Sequence, residues 1–363
     1  MIKVHLQKTV DDSYAIDIGI GISEQLPSFL KKNVPAFRYI VVSDSHVAKL
    51  YGKYFLSLCA KEKLNAFLVS FPAGERYKTR ETKSELENKI ILHGAGKDSC
   101  IIALGGGVVG DIAGFVASTL FRGIPFVQVP TTLLAQVDSS SGGKTAVDHP
   151  LGKNLIGAYH QPKHICIDTN FLKSLSHAEY VNGIAEIVKQ ALIQDENFFF
   201  FLETAIDKLV KREEKVLLKT IEWNCKLKAK IIEKDERELG PRKILNFGHT
   251  IGHAIETLSN YKLRHGYAVS MGMFVESLIA KKLGWLKEND VERIEHILMR
   301  AKLPTRLPKT ISPDAVLQKM QLDKKTKEGK IKYSLIDRIG HCQYNVGVEN
   351  EMILRCLNGV MEK

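Results

Sequence analysis

The spacing of hydrophobic and polar residues changes near the middle of the chain. In the first half, β-branched or aromatic runs at Tyr39 to Ser43, Ala66 to Phe71, Cys100 to Leu104 and Phe126 to Val129 each end in turn residues or a cap, which predicts strands. Lys78 to Leu92 and Val109 to Ser118 fit helices between them. Strands alternating with helices predict a parallel α/β sheet whose ligand lies at the carboxyl ends of the strands. After about Asp168 the strand signal fades. Residues 178–203, 214–234, 246–258, 266–284 and 290–301 read as helices, and only Lys330 to Ile336 reads as a late hairpin strand. The expected architecture is a Rossmann-like parallel-sheet domain over 1–170 and a mostly α-helical domain over 171–363, with no low-complexity linker and no internal repeat.

Composition fits this picture: 363 residues, 44% hydrophobic and 26% charged, suit a two-domain globular enzyme. The amino terminus lacks an apolar signal segment and Asp111 and Arg122 interrupt the longest apolar stretches, so a cytoplasmic chain without a membrane partner is expected. Cys59, Cys100, Cys166, Cys225, Cys342 and Cys356 are scattered, with no C-x-x-C pair, and read as reduced, buried residues. The net charge of +11 permits nucleic-acid binding in principle. Much of the excess, however, lies on amphipathic helix such as Lys208 to Lys234, and no nucleic-acid motif accompanies it. An acidic small-molecule substrate is the more economical partner.

Candidate chemistry begins at Ile101-Ile102-Ala103-Leu104, which leads into Gly105-Gly106-Gly107-Val108-Val109-Gly110-Asp111. Glycines at a strand-to-helix turn let backbone amides approach a pyrophosphate at the helix N-terminus, although taken alone they also describe a tight structural turn. No acid follows about twenty residues on, where a standard dinucleotide unit holds its ribose. Asp44 and Glu75, after earlier strands, are the available acids. Next comes a dense polar stretch, with Arg122-Gly123, Pro130 to Thr145 and Gly152-Lys153-Asn154. Glycine amides, hydroxyls and the cations Arg122, Lys144 and Lys153 suit a phosphate cradle, and Asp138 suits a sugar hydroxyl.

The second half carries Asn246-Phe247-Gly248-His249-Thr250-Ile251-Gly252-His253. On a continuous helix the spacing i, i+3 and i+7 projects Asn246, His249 and His253 from one face. His265 precedes a long apolar stretch, and Glu186 and Lys189 lie on another helical segment. Two His and one Glu around an open position are a recurrent catalytic zinc set, here spread along the chain. Lys228 and Arg242 suit a second anion site, for a carboxylate.

Together these stretches resemble the 3-dehydroquinate synthase family of sugar-phosphate cyclases. Further matches are Gly183-x-Ala185-Glu186-x-x-Lys189, Gly252-His253-Ala254-Ile255-Glu256, His265-Gly266 and Asp323-Lys324-Lys325, all in family order. The resemblance implies a homodimer with NAD in the first domain and zinc or cobalt on Glu186, His249 and His265. It places phosphate contacts on Arg122, Lys144, Asn154, Asn246 and Lys332, and carboxylate contacts on Lys228 and Arg242. Asp138 and Lys189 would address hydroxyls, with Lys153 and His253 lining the site. NAD contacts would fall on Asp44, Glu75, Lys78, Gly106, Gly107, Asp111, Thr131 and Thr132, with Lys144 and Lys153 counted on both sides. The chain departs from the family pattern at Ala178 and Tyr267. The implied activity converts 3-deoxy-D-arabino-heptulosonate 7-phosphate to 3-dehydroquinate and phosphate, the second step of chorismate and aromatic amino acid biosynthesis. It runs by transient oxidation with NAD, phosphate elimination, reduction, ring opening and intramolecular aldol closure. Rival readings are a cyclase for a substrate without a carboxylate, such as 2-deoxy-scyllo-inosose synthase, and a metal-dependent polyol dehydrogenase, which would release NADH.

Overall fold

Apolar residues fill most positions of the strands of the first half without alternation, so both faces of the sheet must be covered. In the computed structural model, which describes residues 3, 5, 11–323 and 331–362, they are. The chain forms two compact units, residues 1–131 with 139–170, and residues 132–138 with 171–363. The first contains β1 (Ala15–Gly19), β2 (Arg38–Asp44), β3 (Ala66–Phe71), β4 (Ser99–Gly105), β5 (Phe126–Pro130), β6 (Lys144–His149), β7 (Gly152–Tyr159) and β8 (His164–Asp168). Six of these make one parallel sheet in the order β1-β8-β5-β4-β2-β3. Every residue of β4, β5 and β8 is buried, as expected for a parallel sheet flanked by helices.

Strand order determines where a ligand can enter. From β2 the chain runs outward to β3 and then returns to the other side of β2 as β4. The crevice at such a reversal, outside the carboxyl ends of the strands, is the usual ligand site of open α/β sheets. Val42 pairs with Ala103, so Asp44 at the end of β2 lies level with Gly105 at the end of β4. Gly105 in turn pairs with Pro130 at the end of β5.

The four strands expected in the first half form within one residue of their expected ends. Strands β1 and β8 and the antiparallel β6–β7 hairpin were not anticipated. The hairpin covers 144–159, where no strand is expected from the sequence, and its register shifts between Val147 and His149. The helix expected from Lys78 begins at Arg80, because Thr79 caps it by accepting from the Thr82 amide at 3.2 Å.

The second unit is mainly helical, with the hairpin of β9 (Lys332–Arg338) and β10 (His341–Gly347). Lys330, Lys324 and Lys325 lie outside the described residues. Two expected helices are broken. Asp195 leaves the helical conformation and caps Glu196–Val210 through the amides of Asn197 and Phe198, dividing 178–203. Residues 246–258 divide at Gly248, whose φ of +78° separates a 3-10 turn, Pro241–Asn246, from the helix His249–Leu258. Helices Pro313–Asp323 and Asn350–Asn358 were also unanticipated. Among the described residues no helix is long and apolar enough to cross a membrane. All six cysteines are free and buried, and burial pushes the thiol of Cys59 up to about 11 and those of Cys100 and Cys225 to about 12.

Candidate active site

In the first unit the glycine turn is shaped by close approach. Gly106 precedes the helix Gly107–Thr119, and a Cβ on Gly107 would fall 2.9 Å from Ser139 Oγ. Thr131 continues from β5, with its amide donating to Gly105 O at 2.9 Å. Asp44 accepts from the amides of His46 and Val47 at 2.8 and 3.0 Å, which fixes its carboxylate at the crevice.

A polar hub lies in the same unit. Lys78 Nζ pairs with Asp111 Oδ2 at 2.6 Å and donates to Asn154 Oδ1. Lys78 O accepts from the Asp148 amide at 2.7 Å, and Asp148 Oδ1 accepts from the Asn154 amide at 2.9 Å. Burial alone would lower the Lys78 ammonium, but Asp111 and Glu75 hold it above its ordinary value, while burial pushes the Asp111 carboxyl up against the pull of Lys78. Lys153 pairs with Glu75 at 3.0 Å. Lys78→Met leaves Asp111 buried beside an apolar chain and should cost about 3 kcal/mol of stability. Urea unfolding followed by circular dichroism measures this, and an unchanged midpoint would mean the pair is dispensable.

Lys144, which opens β6, is exposed, and so is Arg122. Phe121, Arg122 and Gly123 have φ of +52°, +70° and +110°, so an Arg is held in a strained left-handed turn. Such strain persists only where the surrounding structure enforces it.

The second unit brings together three residues far apart in sequence. Glu186 lies on the helix His177–Gln194, which is buried from Tyr180 to Ile193, and its carboxylate is fully buried. His249 and His265 are the first residues of their helices, and their Nε2 atoms lie 3.6 and 3.4 Å from Glu186 Oε1. One ligand atom from each of the three lies within 4.8 Å of the others. Lys189, one turn after Glu186, pairs with Oε2, yet neither carboxylate oxygen has a hydrogen bond of good geometry. A buried carboxylate facing two imidazole nitrogens with no such bond is the donor set a divalent cation satisfies, and zinc or cobalt suits its mixed N and O donors. Among the described residues His253, Glu256 and His265 form a second cluster. His253 is exposed, and Glu256 faces His265 Nδ1 at 3.4 Å, which suits a carboxylate backing a ligand rather than a ligand itself.

A group of buried charges belongs to this unit too. Lys228 Nζ pairs with Asp138 Oδ1 at 2.6 Å, and the Lys228 helix also holds the 132–138 segment, since Asn224 Nδ2 donates to Val137 O at 2.6 Å. In that segment Thr132 Oγ1 accepts from the Ala135 amide at 3.2 Å. Burial pushes the Lys228 ammonium down, and Lys189 and Arg242 add to this against the pull of Asp138. Burial would raise the Asp138 carboxyl, but Lys228 brings it below its ordinary value. Arg242 is 2% exposed and donates to Glu236 O. Asn246 does not share a helical face with His249, because the chain turns at Gly248. It ends the 3-10 turn and donates to Glu238 Oε1 at 2.6 Å. His253 does share the helix, its ring edge-on to His249 at 5.1 Å. Lys332 is exposed at the start of β9, whose Ser334 donates to Lys243 O at 2.6 Å and ties the hairpin to the Arg242 turn.

Four carboxylates escaped the sequence reading as site residues: Glu256, Glu238, Glu276 and Glu179. Glu256 was findable, since it falls three residues after His253 and seven after His249 on one helix. Glu179 required the fold. It accepts from Arg264 Nε at 2.7 Å and from Asn182 Nδ2 at 3.2 Å, and Asn182 Oδ1 accepts from the Gly266 amide at 2.7 Å. This chain of bonds, close to the departures Ala178 and Tyr267, ties the start of the His265 helix to the Glu186 helix.

Comparison with known proteins agrees with this arrangement. The family models described as 3-dehydroquinate synthase N-terminal and C-terminal match residues 68–182 and 183–326. The 3-dehydroquinate synthase of Thermodesulfovibrio yellowstonii is 45% identical over 88% of this chain and 89% of its own length. That of Nitrosomonas europaea is 41% identical over 95% and 94%. Among solved structures, 2-epi-5-epi-valiolone synthase from Streptomyces hygroscopicus subsp. jinggangensis, with NAD+ and Zn2+ bound, superposes with a TM-score of 0.89 at 27% identity over 99% of both chains. A 2-deoxy-scyllo-inosose synthase complexed with carbaglucose-6-phosphate, NAD+ and Co2+ gives 0.86 at 28% over 96% of both. With both family models matched and relatives this similar along nearly the whole length, the chain belongs to the 3-dehydroquinate synthase family.

Proposed function

We propose that the chain converts 3-deoxy-D-arabino-heptulosonate 7-phosphate into 3-dehydroquinate and phosphate with no net redox change, as a cytoplasmic homodimer. The observation that carries the choice of substrate is the burial of Lys228 and Arg242 in the unit that holds Glu186, His249 and His265. Lys228 already meets the Asp138 carboxylate, and together with Arg242 it presents two buried cationic donors of the kind that suit a bound carboxylate. The sugar phosphates of the rival cyclases lack it.

In this reading residues 1–170 serve NAD and 171–363 serve the metal and substrate, with Asp138 added from the 132–138 segment. Asp44, Glu75, Lys78, Gly106, Gly107, Asp111, Thr131 and Thr132 are the NAD contacts, joined by Lys144 and Lys153. Glu186, His249 and His265 hold zinc or cobalt. When bound, NAD takes up and returns hydride, and the metal acidifies the hydroxyl that is oxidised. The chain's own residues bind and orient. Lys228 and Arg242 hold the carboxylate, and Arg122, Lys144, Asn154, Asn246 and Lys332 hold the phosphate and favour its departure as a dianion. Asp138 and Lys189 fix the ring hydroxyls, with His253 and Lys153 beside them. Most of the barrier reduction then comes from positioning and charge neutralisation, with few acid/base groups required.

The test is phosphate release and 3-dehydroquinate formation from the heptulosonate phosphate, with catalytic NAD and zinc or cobalt, before and after chelation. Metal-dependent product without NADH accumulation is expected. Stoichiometric NADH without phosphate release would point to a polyol dehydrogenase. Inactivity with both metals, together with phosphate release from a carboxylate-free sugar phosphate, would transfer the chain to the other cyclases.

A further inference from the structure

The two imidazoles of the candidate metal centre are backed on their far nitrogens by different groups. His265 Nδ1 faces the Glu256 carboxylate directly. His249 Nδ1 lies 3.1 Å from Phe247 O. A carbonyl only accepts, so Nδ1 carries the proton and Nε2 keeps its lone pair toward Glu186. The peptide group that supplies this carbonyl has the Gly248 N–H at its other end, and that N–H donates to Glu276 Oε2 at 2.6 Å. Glu276 is fully buried, the sole acidic residue of the helix His265–Lys282. A buried carboxylate on an otherwise apolar stretch is expensive unless charge-assisted hydrogen bonds offset it.

The backbone is arranged to permit this contact. A Cβ on Gly248 would lie 2.5 Å from Met273 Cγ and 2.9 Å from Val269 O, and one on Gly272 would collide with Gly248 O. The helix His265–Lys282 and the turn before His249 therefore meet backbone to backbone. Glu276, one helical turn after Gly272 on the same face, is thereby brought onto the Gly248 amide.

We infer that Glu276 is a positioning residue for His249, acting through the Phe247–Gly248 peptide, so that a buried carboxylate backs each imidazole, one directly and one through a peptide group. The inference rests on Glu186, His249 and His265 being the metal ligands. A carboxylate on the N–H end of a peptide polarises its carbonyl, which strengthens the bond from Nδ1–H, holds the ring and makes Nε2 a better donor.

Cobalt affinity, measured by competition with a chelator, and the visible spectrum of bound cobalt test this in the purified full chain. Glu276→Gln keeps an acceptor for Gly248 without the charge, and Glu276→Leu removes both. Affinity should fall about 10-fold in the first and about 100-fold in the second, with an altered spectrum and unchanged helix content. Wild-type affinity and spectrum in both would overturn the inference. If neither variant folds, the wild-type chain decides. Its Gly248 amide proton should resonate far downfield and move when zinc is added, and an ordinary resonance unmoved by zinc would overturn it. Equal cobalt binding by the wild type and His249→Ala would bring down the metal reading itself, a failure separate from that of Glu276.

Discussion

His249→Ala should lower turnover roughly a thousandfold or more, the equivalent of about 4 kcal/mol of transition-state stabilisation, and should abolish stoichiometric metal binding. The expectation follows from the geometry at Glu186. Its buried carboxylate faces His249, His265 and Lys189, and Lys189 with the two imidazoles holds it well below the usual carboxylate range although burial opposes this. Removing one imidazole leaves two ligands, too few to hold a divalent cation against chelation. The chain should still fold, since His249 is the first residue of its helix and is partly exposed. Metal analysis and phosphate release on the same preparation measure both effects. Retention of one metal per chain with near-normal turnover would exclude His249 as a ligand.

Arg242→Ala should reduce kcat/KM for the carboxylate-bearing substrate by about 100- to 1,000-fold, or about 3–4 kcal/mol. A decarboxy analogue should lose far less. The guanidinium is buried near Lys228, while its loop is held independently by Asp235, which accepts from the amides of Leu239, Gly240 and Arg242. Truncating the side chain therefore removes the charge and its bond to Glu236 O but leaves the three amide bonds of Asp235 in place. Arg242→Lys should recover only part of the loss, because a single ammonium replaces a planar two-pronged donor. Equal losses on both substrates would eliminate the carboxylate pocket and with it the argument against the rival cyclases.

Strand β4, its glycine turn and the helix after it were legible because the signals are local: a run of apolar residues, glycines, then a helical period. The same locality misled at 144–159, where polar residues and glycines concealed a paired hairpin. It misled again at Asn246, where helical spacing continued across Gly248 while the backbone did not.

Sequence alone determined the parallel α/β first half, the helical second half and the family, since each follows from periodicity or from short motifs. Only the tertiary structure decided which charges face one another. Glu186, His249 and His265 converge because the His265 helix packs against both the Glu186 helix and the His249 helix, and Glu276 reaches Gly248 because two glycines let backbones touch. Both depend on contacts between residues remote along the chain. Hydrophobic spacing encodes which face of each helix is buried, and the packing of those faces places the polar groups carried among them.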